Sequence, residues 1–353
     1  MNLLLLPFAW VYGLVIRVRN LLFDLGIFKS KEFDVPVITV GNLRVGGTGK
    51  TPTVIALLEL LSGKSNPAVL SRGYGRSSEG WREVNLDDDA SLTGDEPLLI
   101  KQRNPEVRVA VMEQRSKGIN MLLESESRPN VILLDDAMQH RWVRPGLLIL
   151  LTAYHDRYTQ DWLLPAGRLR EHRSSAARAD LIVVTKCPEK LAFDERKRII
   201  QEVNPRPHQQ VCFAFESYPG LSDLRDSSVH DWQKIKDQSV VLVTGLADPS
   251  TLLGFIEEKC AHQVVHLPFG DHHDFKEQDL DRILEAYSNF PPGNAVILTT
   301  EKDAQRFAHW MQNQKFAALP IYAIQHLLQW FESDREVIEK RLDEFIRSDQ
   351  RNG

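Results

Sequence analysis

Apolar and polar positions divide this chain into short hydrophobic runs separated by stretches of helical spacing. Strand-like runs fall at 37–40, 67–70, 107–112, 131–134, 147–151 and 181–185. Several are continuously apolar, as strands covered on both faces should be. Between them the spacing turns helical, as in Val54-Ile-Ala-Leu-Leu-Glu-Leu-Leu61. Strand–helix alternation predicts a mainly parallel sheet with helices on both sides. Ligands then bind at the carboxyl ends of the strands. A second α/β set is expected from strands at 211–215, 239–244, 263–267, 295–300 and 320–324, with a helix over 276–289. Residues 204–209 carry two prolines and read as a linker. A charged amphipathic helix is expected over 329–347, packed on either lobe. The expected fold class is α/β, with two α/β/α lobes. The larger lobe spans 29–206 and is completed by the helix at 329–350; the smaller spans 207–328.

The first 28 residues follow a different pattern. Leu3 to Ile16 carries no charge. The segment is short for a transmembrane helix, which needs about 20 residues, and Pro7 interrupts it. It lacks the leading positive residue and the cleavage site of a signal peptide. Further on, Arg17, Asn20 and Asp24 form one polar stripe, and Leu14, Val18, Leu21, Leu22 and Leu25 fill the opposite side. That pattern suits a helix lying in a membrane interface, with Trp10 and Tyr12 at headgroup level and Arg17 and Arg19 on anionic lipids. The alternative is a helix packed on the protein's own core.

The densest chemistry lies at Gly41-Asn-Leu-Arg-Val-Gly-Gly-Thr-Gly-Lys-Thr-Pro52. A β-branched strand runs into a glycine-rich turn and then a helix N-terminus, the architecture of a phosphate cradle. The backbone of Gly46, Gly47, Thr48 and Gly49, with Lys50, Thr51 and Pro52, is expected to bind nucleotide phosphates. Lys50 would reach the outer phosphates, and the Thr51 hydroxyl would sit on Mg²⁺. The usual pattern G-x-x-x-x-G-K-[ST] has its first glycine where this chain has Arg44.

Two acidic pairs accompany the loop. Val131-Ile-Leu-Leu-Asp-Asp136 is an apolar strand ending in carboxylates. Beside a phosphate loop, Asp135 and Asp136 are candidates for Mg²⁺. Thr93-Gly-Asp-Glu-Pro97 offers Asp95 and Glu96, either as a helix cap ahead of Pro97 or as a general base with a metal-site neighbour. In Gly270-Asp-His-His-Asp-Phe275, adjacent histidines diverge and no third ligand stands at metal spacing. A histidine aimed at the active site, or a solvated loop, remains open there. Arginines cluster after strands at Ser71-Arg-Gly-Tyr-Gly-Arg76, at Arg115 and in Leu163-Leu-Pro-Ala-Gly-Arg-Leu-Arg-Glu171, which favours a polyanionic ligand. Strands also run into Lys186 and into Glu301-Lys-Asp303, a loose likeness to base-recognition loops.

Composition narrows these readings modestly. The 353 residues suffice for two cores. A net charge of −5 argues against nucleic acid as a partner. Cys187, Cys212 and Cys260 have no metal spacing and read as buried thiols. No obligate protein partner is implied.

Taken in order, these pieces resemble the tetraacyldisaccharide 4′-kinases, the lipid A 4′-kinases of Gram-negative bacteria. The resemblance rests on the loop at 41–52, Ser71-Arg-Gly-Tyr74, Gly94-Asp-Glu-Pro97, Asp135-Asp-Ala-Met-Gln-His140, Leu164-Pro-Ala-Gly-Arg-Leu-Arg-Glu171, Thr244-Gly-Leu-Ala-Asp-Pro249, Asp271-His272 and Thr300-Glu-Lys-Asp303. Ala137-Met138 stands where the family usually shows Gly-Phe, and Arg44 becomes the family's own loop variant. The resemblance implies ATP as phosphoryl donor and the 4′-hydroxyl of a lipid A precursor disaccharide as acceptor. It further implies a monotopic protein at the cytoplasmic face of the inner membrane, with catalysis between two α/β/α lobes. Carried over by position, Asp95 becomes the base assisted by His272. Glu96, Asp135 and Asp136 become metal-site residues, and Arg72, Tyr74, Arg115 and Arg168 become candidate substrate or nucleotide contacts. The competing reading is a P-loop switch or chaperone NTPase acting on a protein partner, which would have no use for Asp95 with the Asp271-His272 loop.

Overall fold

The computed structural model describes residues 3–350 apart from 247, 261, 272, 308–309, 312–315 and 317. The elements in chain order are α1 (Leu6–Asp24), β1 (Val37–Asn42), α2 (Lys50–Leu61), β2 (Pro67–Ser71), β3 (Arg82–Glu83), α3 (Ala90–Thr93), α4 (Asp95–Arg103), β4 (Arg108–Val111), α5 (Arg115–Leu123), β5 (Val131–Leu134), β6 (Leu147–Ala153), β7 (Leu181–Cys187), α6 (Phe193–Val203) and β8 (Gln210–Ser217). There follow β9 (Leu221–Asp223), β10 (Val229–His230), β11 (Ser239–Thr244), α7 (Ser250–Lys259), β12 (Val264–Pro268), α8 (Glu277–Ser288), β13 (Ala295–Thr300), α9 (Glu301–Phe307), β14 (Ile321–Ile324), β15 (Leu327–Trp330) and α10 (Glu332–Gln350).

The continuously apolar runs become the strands of two sheets, ordered β15-β8-β7-β6-β1-β5-β2-β4-β3 and β10-β9-β14-β13-β11-β12. Their centres are parallel, and the antiparallel pairs lie towards the edges. Alternate residues of each strand feed opposite faces. Ile38 and Val40 of β1 pack with Val54, Leu57, Leu58 and Leu61 of α2, with Leu98 and Ile100 of α4, and with Ile338 and Leu342 of α10. The reverse face is covered by Ile119 and Leu122 of α5 and by Ile199 and Val203 of α6. Each such aliphatic contributes about 1.5–3 kcal/mol relative to exposure. The second sheet is sandwiched alike, by Leu252 and Ile256 of α7 on one face and by Leu280 and Ile283 of α8 on the other. Both units are α/β/α, as the alternation predicts.

The chain changes sheets later than the prolines at 205 and 207 suggest. The run 211–215, expected in the second set, pairs in parallel with β7 in the first sheet. Cys212, Phe213 and Ala214 are fully buried there. The final helix is also shorter than expected at its start: residues 327–330 form an antiparallel strand on β8, and helix begins at Glu332.

At the N-terminus, Pro7 does not interrupt the apolar segment. It sits in the first turn of α1, where a missing N–H breaks no helical bond. Over 19 residues α1 is long and apolar enough to cross a membrane by length and composition. Its polar side is nevertheless fastened to the first unit. The Tyr12 hydroxyl donates to the Arg170 carbonyl at 2.9 Å, Arg19 to the Gln139 carbonyl at 2.5 Å, and Asn20 to the Glu171 carboxylate at 3.1 Å. Tyr12 and Arg19 therefore face the protein rather than lipid headgroups, which corrects the expectation for both. The other side leaves Phe8, Trp10, Val11, Leu14, Val15 and Leu21 exposed.

Candidate active site

The cleft between the sheets opens at the carboxyl ends of β1, β2, β5, β7 and β13, where the parallel-strand rule puts a ligand. It encloses about 890 Å³. That is enough for a nucleotide beside a sugar head group, since drug-sized ligands occupy roughly 300–1,000 Å³.

One wall is the loop between β1 and α2. Residues Gly46 to Pro52 all line the cleft, as the sequence pattern leads one to expect. Gly49 caps α2 with φ of +79°, a left-handed conformation that favours glycine. The loop is braced from below: Asn42 Nδ2 donates to Thr48 Oγ1 at 2.6 Å, and Thr185 Oγ1 donates to the Thr48 carbonyl at 2.9 Å. Gly41 accounts for the close approach of the next segment, because a Cβ there would lie 2.6 Å from Met138 Cβ. Arg44, in place of the customary glycine, reaches Asp156 at 2.8 Å and also bonds Asp161. Here the outer turn of the loop is held by ion pairs.

β5 delivers the carboxylates opposite. Asp135 is buried, and Ser71 Oγ donates to its Oδ2 at 3.1 Å. Burial and the neighbouring Asp136 carboxylate push the Asp135 carboxyl up to about 6. Asp136 behaves oppositely. Burial would raise it, but Lys50 and Arg170 outweigh that and hold it below the usual range. Lys50 Nζ lies 3.6 Å from Asp136 Oδ2, and Arg170 forks onto the same carboxylate at 2.8 and 3.2 Å. Arg170 also bonds the Asn42 side chain, so one guanidinium ties the acid to the foot of the phosphate loop. Arg170 was not singled out in the sequence; its place in the motif ending at Glu171 was the available signal.

The second acidic pair divides. Glu96 lines the cleft with Lys302 at 3.5 Å, and Lys302 also meets Asp271 at 2.9 Å. Burial lowers the Lys302 ammonium, but Glu96 and Asp271 prevail and raise it. Asp95 opens α4 behind this wall, 1% exposed, and receives Arg306 from α9. His272 lies outside the described residues. His273 is turned onto Asp279 at 2.9 Å and packs between Phe269 and Phe275.

The expected anion contacts also separate. Arg72 and Tyr74 are exposed at the cleft wall. Arg115 also lines the cleft but is almost wholly buried, donating to the Met112 carbonyl at 2.8 Å and the Asp135 carbonyl at 3.2 Å. It therefore braces the end of β5, and burial pulls its guanidinium down to about 10. Arg168 is exposed on the outer side of the phosphate loop, with Arg44, His155 and Lys186. Beyond Lys186 the cleft carries a polar group of its own, in which Glu216 meets His326 at 3.2 Å and Lys186 at 3.8 Å, with Tyr218 stacked on His326. Long-range pairing assembles this group, and local sequence gave little sign of it.

Relatives match the chain over almost its full length. A family model described as Tetraacyldisaccharide-1-P 4'-kinase matches residues 1–347. A tetraacyldisaccharide 4'-kinase of Phocaeicola vulgatus is 38% identical over 355 residues, covering 99% of this chain and 97% of the relative. Another, from Flavobacterium johnsoniae, is 43% identical over 327 residues, covering 91% and 93%. Among solved structures, LpxK from Aquifex aeolicus in complex with ATP superposes with a TM-score of 0.74 at 31% identity, over 97% of this chain and 98% of that one.

Proposed function

This chain belongs to the tetraacyldisaccharide-1-P 4′-kinase family, and we propose that its reaction takes place in the cleft between the two sheets. The chain is an ATP-dependent kinase of lipid A biosynthesis: it transfers the γ-phosphoryl group of ATP to the 4′-hydroxyl of the tetraacyldisaccharide 1-phosphate precursor. The observation that carries the assignment to this cleft is the meeting of Lys50 with Asp136, 3.6 Å apart, from the phosphate loop and a strand end.

Phosphoryl transfer asks mainly for positioning and charge neutralisation. The loop backbone from Gly46 to Gly49 and the N-terminus of α2 hold the ATP phosphates. Lys50 lies against their outer oxygens, and Arg170 keeps Asp136 facing it. Asp135 Oδ1 is buried with no protein partner, a donor that fits Mg²⁺ beside the Thr51 hydroxyl, Asp136 and Glu96. Among the described residues no three acidic, histidine or cysteine side chains form a closed metal cage. Mg²⁺ ordinarily takes one or two carboxylates together with substrate phosphates. Once bound, the ion would neutralise charge on those phosphates.

Asp95 is the acceptor of the 4′-hydroxyl proton, and His272 assists it. As the sugar oxygen bonds to the γ-phosphorus, the bond to the ADP oxygen breaks and the proton passes to the carboxylate. Arg72 and Tyr74 meet the substrate phosphate at the cleft wall, Arg115 supports that wall from its buried edge, and Arg168 serves the nucleotide side. The exposed apolar face of α1 lies in the cytoplasmic leaflet of the inner membrane, where a lipid acceptor and cytosolic ATP come together. Residues 1–28 form the membrane-associating unit, 29–217 with β15 and α10 the ATP-binding unit, and 221–324 the smaller partner. Incubation with γ-labelled ATP and the precursor in mixed micelles tests the assignment. Label must appear in the lipid, and label found only in inorganic phosphate contradicts it.

A further inference from the structure

The two units meet where α4 faces α9. Gln102 and Gln305 exchange amide hydrogen bonds of 3.0 and 2.5 Å, and Arg103 pairs with Glu301 at 2.6 Å. Contacts of this kind at or near a surface contribute little by themselves. The Arg306 contact differs in burial and geometry. Its Nε donates to both Asp95 oxygens, at 3.0 and 3.2 Å, and its Nη2 donates to Oδ2 at 2.8 Å. Its Nη1 donates to the His273 carbonyl at 3.0 Å. One guanidinium thus joins a buried carboxylate of the first unit to the backbone of the 270–275 loop of the second.

The seat of Arg306 is rigid. Phe307, the next residue, is fully buried and stacks on Phe275 at 4.4 Å, within the same loop. At the head of α9, the Asp303 carboxylate accepts from the Gly245 N–H at 2.9 Å and from Thr300 Oγ1 at 2.7 Å. A guanidinium fork fixes both the distance and the plane of a carboxylate, whereas an ammonium fixes neither.

We propose that Arg306 is a positioning residue for phosphoryl transfer: it aims the Asp95 carboxylate and brings the 270–275 loop up to it, so that the proton-accepting site is complete only with α9 docked on α4. This rests on Asp95 being the proton acceptor. Small misplacement of a reacting group costs about 10²-fold in rate. The role therefore shows in the chemical step and not in nucleotide binding.

The test compares Arg306→Gln, Arg306→Lys and Arg306→Ala with Asp95→Asn and the Asp95→Asn/Arg306→Gln double variant, in the full-length protein with ATP and lipid precursor. Arg306→Gln should lower kcat by about 10²-fold with KM for ATP within about twofold. Arg306→Lys should recover only part of the loss, and guanidinium ion added to Arg306→Ala should restore part of its rate. In the Asp95→Asn background, Arg306→Gln should remove nothing further, because Arg306 acts through that carboxylate. Wild-type kcat in Arg306→Gln with an impaired Asp95→Asn overturns the positioning role alone, as does an equal loss from Arg306→Gln in both backgrounds. Wild-type transfer by Asp95→Asn instead overturns the base assignment beneath it.

Discussion

The Tyr12 hydroxyl bonds the carbonyl of Arg170, the residue whose guanidinium grips Asp136. The N-terminal helix is thus fastened by its polar side to the segment that supports the phosphate site. Its apolar side is left facing out, with Trp10 71% exposed.

That asymmetry predicts separable defects. Trp10→Asp with Leu14→Asp should leave the fold intact and weaken flotation with anionic phospholipid vesicles. Each large apolar side chain withdrawn from the interface removes about 1.5–3 kcal/mol, roughly tenfold or more in partitioning. Tyr12→Phe should leave flotation unchanged and lower the melting temperature, by about 1 kcal/mol of lost hydrogen bonding. Unaltered flotation of the double aspartate variant contradicts the interfacial reading of this face.

Lys50→Ala removes the positive charge that faces Asp136 and, in the proposed site, the outer phosphates of ATP. It should raise the ATP concentration needed for half-saturation and lower kcat, while leaving vesicle binding as it was. Steady-state kinetics with varied ATP provide the check. Unchanged constants remove the phosphate-loop reading.

Asp135 carries a pH signature. Its carboxyl is pushed up to about 6 in the folded protein, by burial first and then by Asp136, from an ordinary value of 3.8. Between those values the folded state holds a proton that the unfolded chain releases. Stability from this residue therefore declines as pH rises through that window, and the full penalty stands above about pH 6. Asp135→Asn should melt higher than wild type at pH 7.5, by on the order of 1–3 kcal/mol, and the gain should vanish towards pH 4. Mg²⁺ with ATP should raise the melting temperature of the wild-type protein, and the same variant should lose that gain. A melting temperature below wild type at pH 7.5 contradicts the burial account.

The strands and the glycine-rich turn ahead of a helix N-terminus were legible in the sequence because local order determines them. Continuous apolar runs such as Val131 to Leu134 have few alternatives to a strand covered on both faces, and a helix N-terminus after Gly49 is a local fact. What escaped depends on residues distant in the chain. Arg306 is separated from Asp95 by 211 positions, and nothing in Glu301 to Phe307 marks it apart from other helical arginines. Arg115 is marked in the sequence by its place after a strand, but its bond to the Asp135 carbonyl, 20 positions on, is not. The run 211–215 was placed with the wrong sheet because its neighbouring prolines mimic a linker, and the open edge of β7 is invisible in one dimension. Short edge strands such as Arg82–Glu83 and Leu327–Trp330 are too brief for a periodicity to register.

The most direct measurement is single-turnover transfer from γ-labelled ATP to the lipid disaccharide by Asp95→Ala, beside its ATP affinity. A positioned base contributes about 10²–10⁴-fold, so transfer should fall by that factor while ATP still binds. Transfer near the wild-type rate would contradict the account.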